Sequence, residues 1–211
     1  VMERPESSVF YEIAKEGSTK YVNFILNEPE ALKTIVEMKN EDGNIAHHGV
    51  TVATLALGTA RTLGMDDEEQ LRLLMLGCLL HDFEHHHTGL NILRPLSELS
   101  DQERELYQRH PLDAIEKVRR MNHFDQQVIN IIAKHEETID GQGFPEGLRE
   151  KQLDPLTLIA ATANVYDRYT SFEGRAPKDA LKSLLVDQVG RYPLENLQAL
   201  QKTLKSSGLV T

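Results

Sequence analysis

Apolar residues recur at three- and four-residue spacing through almost the whole chain, and strand-type alternation is weak throughout. That periodicity constrains the fold more than any other feature, and it predicts an all-α protein. Val52, Leu55, Ala56 and Leu63 share one helical face; Leu71, Leu74 and Cys78 share another, with His81 one turn on. Gly64 reads as the end of the first of these helices, and Asp66 and Asp67 as the opening of the second. Ser100 and Glu103 form an S-x-x-E capping box, predicting a helix that runs to His110. Pro111 is then expected in the first turn of the next helix. Val128, Ile131, Ile132 and His135 predict a helix from near Asp125. Residues 140–147 (DGQGFPEG) read as a loop. Further helices are expected over 156–170, from Pro177 through Ala180, Leu181, Leu184 and Leu185, and through Leu194, Leu197, Leu200 and Leu204. Residues 7–39 read as two or three helices. The expected division is a helical lead-in over 1–43 and one domain over 44–211.

Composition narrows the function classes. The chain of 211 residues carries 23 basic and 33 acidic side chains, a net charge of −10. That argues against broad binding to a nucleic acid backbone. The single cysteine, Cys78, excludes an internal disulfide framework and a thiolate zinc site, and suits a reducing compartment. No apolar run approaches the ~20 residues of a membrane span. Residues 1–11 hold no apolar leader. A cytoplasmic protein with no membrane and no nucleic acid polymer as partner is expected.

Histidine is the outlier. Of nine, four fall within seven residues, at His81, His85, His86 and His87. Histidine is the commonest metal ligand. In Leu80-His81-Asp82 an imidazole stands beside a carboxylate whose two oxygens suit two ions, and paired ions clamp a phosphate and activate water. His48, His110 and His135 lie on or beside other predicted helices.

Taken in order, HHGVTVATL, LLHDF, LSDQERELYQRHP, KHEETIDGQGFPEGL and ANVYDRYTS resemble the HD superfamily of metal-dependent phosphohydrolases, and within it the HD-GYP branch. These stretches run from His48 to about Phe172. The resemblance implies an HD-domain helical bundle with additional N-terminal and C-terminal helices. It implies cleavage of cyclic di-GMP at a centre of two divalent ions, iron or manganese. It assigns the metal ligands His48, His81, Asp82, His110, His135 and Asn164, with Asp82 bridging. Asp82 and His85 would be catalytic, His85 standing where the branch has a lysine and, when protonated, serving the leaving oxygen. Phe144, Asp140, Arg175 and Lys178 would contact substrate, with Tyr169 a further stacking surface. An upstream regulatory domain or partner protein is a further implied partner.

Departures from the pattern fall on functional positions. Asn164 replaces the final aspartate, Asn44 a glutamate that brings a third ion in some members, and Phe144 the GYP tyrosine. The first histidine of the HHE motif is read as Lys134, with one extra residue between Glu136 and Asp140. A lysine there would repel a second ion, leaving one ion or none unless Glu136, Glu137 or Asp167 substitutes. The alternative to an enzyme is a degenerate, non-catalytic nucleotide-binding or signalling output domain; a third option is an HD-type phosphohydrolase acting on mononucleotides. His47, His86, His87 and His123 are read as surface or supporting histidines, and Arg119 and Arg120 as a solvated face.

Overall fold

The structure is a computed structural model and describes residues 1–28, 30–40, 44–91 and 94–211. Its helices are α1 (Ser8–Asn27), α2 (Ala31–Glu37), α3 (Ile45–Thr62), α4 (Glu68–Leu80), α5 (His85–Thr88), α6 (Asp101–Val118), α7 (Gln126–Lys134), α8 (Pro155–Asp167), α9 (Pro177–Asp187) and α10 (Leu194–Ser206). The all-α reading holds, and the described residues form no β-strand, only two isolated bridges.

Helix starts follow side-chain chemistry. The Asn44, Asp67 and Asp154 side chains accept from backbone N–H groups in the first turns of α3, α4 and α8. Ser100 and Glu103 form the full capping box of α6. Gly64, at φ +88°, supplies the left-handed turn after α3. Two expectations about individual leucines fail. Leu63 lies just past the last turn of α3 and is exposed, and Leu194 opens α10 facing solvent.

Pro111 does not begin a new helix. It lies inside α6, which continues to Val118. The helix tolerates it because the His110 side chain takes over the carbonyl that a residue with an N–H would have engaged.

Helix α3 runs through the middle of the molecule, packed on α4, α8 and α10. One core gathers Val52, Leu55, Ala56, Leu71, Leu74, Cys78, Ile159, Leu184 and Leu200. A second gathers Tyr11, Leu76, Leu80, Phe83, Val118, Val128 and Ile132. Both draw on the N-terminal segment. Val22, Ile25 and Ala31 join the first core, and Tyr11 the second. The Tyr11 hydroxyl donates to Asp125 Oδ2 at 2.9 Å and accepts from Asp125 N at 3.1 Å, tying α1 to the start of α7.

Gly49 sets how closely α3 approaches the end of α4. A Cβ there would stand 2.6 Å from the Leu79 carbonyl oxygen. The bare backbone lets His48 reach His81. No helix among the described residues is long and apolar enough to cross a membrane.

Candidate metal centre

The centre forms where the start of α3, the C-termini of α4, α7 and α8, and the middle of α6 converge. His48, His81, Asp82, His110, His135 and Asn164 are all buried there. Each histidine arrives with one ring nitrogen already committed. His81 and His135 cap the C-termini of α4 and α7, where the last carbonyls have no helical partner. His81 Nδ1 donates to Cys78 O at 2.6 Å, and His135 Nδ1 to Ile132 O at 3.1 Å. For His110 the free carbonyl is made by Pro111, which has no N–H to offer Tyr107. His110 Nδ1 donates to Tyr107 O at 2.5 Å. His48 Nδ1 lies 2.6 Å from Asp167 Oδ2, a carboxylate that orients the ring from behind.

What remains on each ring is the Nε2 lone pair. His48 and His81 Nε2 stand 3.2 Å apart, and His110 and His135 Nε2 stand 3.0 Å apart. The Asp82 carboxylate lies between the pairs. Its Oδ2 is 3.4 Å from His48 Nε2 and 3.4 Å from His81 Nε2. Its Oδ1 is 3.1 Å from His110 Nε2 and 3.2 Å from His135 Nε2. Asn164 turns its amide nitrogen to Glu136 Oε1 at 3.3 Å, so its Oδ1 faces His48 Nε2 at 3.1 Å. Four ring nitrogens thus crowd one carboxylate, and Asp82 Oδ1 is buried without a hydrogen bond.

Such convergence is repulsive unless positive charge lies on the rings, as protons, or between the atoms, as metal ions. Donors each about 2.1 Å from one ion stand roughly 3.0–3.4 Å apart at right to tetrahedral angles. The observed spacings match. The donor set fits two cation sites sharing Asp82: His48, His81 and Asp82 in one, Asp82, His110 and His135 in the other. Charges agree. Burial lowers the pKa of His81 to about 3, keeping it a neutral donor. Burial also opposes charging of His48, but hydrogen bonds to Asp167 and Asp82 outweigh it and raise its pKa to about 9. Burial disfavours the Asp82 carboxylate too, yet the surrounding histidines hold its pKa well below the usual range.

His85 reaches the same place from a separate short helix. Helix α4 stops at Leu80, and His85 opens the short α5 rather than continuing α4. Its ring stacks on Tyr107 at 5.6 Å and its Nε2 lies 4.0 Å from Asp82 Oδ1, buried and without a hydrogen bond. Burial and the neighbouring His110 lower its pKa well below 6.5, so the protonated ring expected from the sequence is disfavoured. His86 and His87 are not buried with it: both are exposed.

Lys134 is not at the centre. It lines a surface groove with Arg109, Pro111 and Asn130. Successive helical residues point about 100° apart, so turning His135 inward turns Lys134 away. Glu136 is the neighbour that faces the site. It bonds the Tyr107 hydroxyl and Asn164, and lies 3.9 Å from Arg168 NH1. Shifting the motif by one residue also removes the extra residue before Asp140.

The loop beyond is pinned by Glu137, whose carboxylate accepts from the N–H groups of Glu146, Gly147 and Leu148 at 2.7–3.1 Å. Gly143 packs so tightly on this turn that a Cβ would lie 2.6 Å from Glu136 O. The Phe144 ring is thereby set edge-on to Tyr107 at 5.7 Å. Asp140 bonds Thr138 and Gln142 N within the loop. Arg175 pairs with Glu173 and stacks on Tyr169, outside the cluster, and Lys178 lies exposed on α9. The sequence reading missed Tyr107 and Arg168. The available signal was an arginine directly after Asp167, at the end of an otherwise apolar helix.

Helical architecture and a His–Asp cluster at the meeting of helix ends define the HD class, and the chain belongs to the HD domain family, which it matches over residues 30–192. Within it, the relatives are of the HD-GYP branch. A cyclic di-GMP phosphodiesterase of Pseudomonas aeruginosa is 33% identical over 147 residues, 70% of this chain and 35% of that protein. A 3'3'-cGAMP-specific phosphodiesterase of Vibrio cholerae is 33% identical over 58% of this chain and 28% of its own length. The chain thus spans about a third of these relatives. A solved HDG"Y"P protein of Bdellovibrio bacteriovorus is 46% identical with a TM-score of 0.92, covering 97% of this chain and 67% of that one.

Proposed function

We propose that the chain is a metal-dependent phosphodiesterase acting on a cyclic dinucleotide, cyclic di-GMP foremost. The observation that carries this is the convergence of four histidine Nε2 atoms on the Asp82 carboxylate, with Asp82 Oδ1 buried and unpaired. Relatives named as cyclic di-GMP and 3'3'-cGAMP phosphodiesterases supply the substrate class.

His48, His81 and Asp82, with Asn164 Oδ1, would hold one divalent ion; Asp82, His110 and His135 would hold the other. Nitrogen and oxygen donors without thiolate favour iron or manganese. When bound, the ions supply charge for the phosphate oxygens and lower the pKa of water. The protein's own groups do the rest. Asp167 keeps His48 in the ligating orientation, and the Cys78, Tyr107 and Ile132 carbonyls do the same for the other rings. His85 Nε2 would take the proton that the attacking water gives up and pass it to the leaving 3′-oxygen. A regulatory partner or upstream domain would act on this site from outside the chain described.

The test is turnover. Protein loaded anaerobically with iron or manganese is expected to convert cyclic di-GMP to a linear product, and chelation to stop it. Binding without turnover would favour the alternative of a non-catalytic output domain. The absence of both binding and turnover would refute the substrate class.

A further inference from the structure

Beside the metal centre lies a cavity of about 240 Å³, walled by Glu136, Phe144, Arg168, Tyr169, Arg191 and Tyr192 among others. That is smaller than the roughly 300–1,000 Å³ of pockets that enclose a whole ligand. It suits one part of a ligand whose remainder lies elsewhere. The centre adjoins it, because Glu136 on its wall accepts from Asn164 at 3.3 Å.

Arg168 is the unexpected element of that wall. It sits on the turn that follows α8 and is 8% exposed. Its NH1 donates to the Tyr107 hydroxyl and lies 3.9 Å from Glu136 Oε1. Its guanidinium carbon stands 4.6 Å from the Tyr107 ring centroid and 5.6 Å from that of Phe172. Nε and NH2 make no hydrogen bond among the described residues. Glu136 and Glu173 on the same wall balance part of its charge, yet a buried cation with a free donor edge beside a site built for metal ions still bears desolvation and like-charge repulsion. An anion entering the cavity offsets both. The wall is of mixed charge, Arg168 and Arg191 against Glu136 and Glu173, so an anion would meet the free guanidinium edge rather than a net positive surface.

We infer that Arg168 clamps the phosphate of the cyclic dinucleotide that is not cleaved, while the scissile phosphate lies at the metal centre. This rests on the reading of the chain as a cyclic dinucleotide phosphodiesterase. A cyclic dinucleotide carries two phosphodiester groups, and the ions neutralise only one. The planar guanidinium fork matches two phosphate oxygens, which an ammonium does not. The Phe144, Tyr169 and Tyr192 rings offer surfaces on which the adjoining nucleobase stacks. Arg168 is thus a binding residue that favours ligands with two phosphates over ligands with one.

The test compares cyclic di-GMP with 3′,5′-cyclic GMP, which has the same base and one phosphate, by calorimetric binding to manganese-loaded protein. Arg168→Gln is expected to weaken cyclic di-GMP about tenfold or more, the scale of a lost charge-assisted pair, and to leave cyclic GMP and metal content unchanged. Arg168→Lys keeps the charge and the packing stem but loses the fork; a smaller loss, again confined to cyclic di-GMP, is expected. It serves also if the glutamine variant fails to fold. Equal weakening of both ligands, or of neither, overturns the clamp. If the unaltered protein binds cyclic GMP but not cyclic di-GMP, or binds neither, the parent reading fails first, and the clamp with it.

Discussion

Asp82 and His48 contribute unequally to the centre. Asp82 offers Oδ2 to the His48–His81 side and Oδ1 to the His110–His135 side, whereas His48 faces one side only. Asp82→Ala is therefore expected to abolish metal binding, and His48→Ala to leave about half, since a bridging carboxylate serves both ions. Elemental analysis of the two variants decides it; equal retention would refute the bridge. The histidines and Asp82 were legible because residue type and order carry them. Arg168 was not, and Glu136 could not be told from Glu137, because both depend on which way a helix end turns. One residue of rotation on either side of His135 separates Lys134, in a surface groove, from Glu136, on the site. No periodicity fixes that at a helix terminus.

At the scale of the element, Pro111 links sequence to tautomer. The sequence reading placed it at the start of a helix, which is where proline is commonest. Instead α6 runs through it, and the hydrogen bond that the helix forgoes becomes the tether of His110. The order His-Pro could not reveal this, since a proline marks a break far more often than a tether. Pro111→Ala would return an N–H to the Tyr107 carbonyl and set it competing with His110 Nδ1. The expected outcome is a helix as stable or more stable by up to about 3 kcal/mol, together with metal affinity lowered on the order of tenfold, as when a supporting partner is lost. Thermal unfolding of the apoprotein and chelator competition read the two effects separately. Unchanged affinity would mean that the tether does not orient the ring.

Across the whole molecule, the apolar periodicity foretold nearly every helix, since burial of one face per helix is what builds both cores. It could not show which helices meet. The centre draws on residues from 48 to 167, brought together by close approaches such as that of Gly49 to Leu79. The N-terminal helices supply Tyr11, Val22 and Ile25 to those cores, and so support the scaffold that holds the site.

Within that scaffold the helix ends gather histidines around Asp82 in two groups that could each hold a metal ion. The direct measurement is metal content per chain after anaerobic purification with added iron or manganese. About two equivalents are predicted, as expected of a carboxylate shared between paired ions. Less than about a tenth of an equivalent would contradict it, because the fully assembled donor set would then bind no ion.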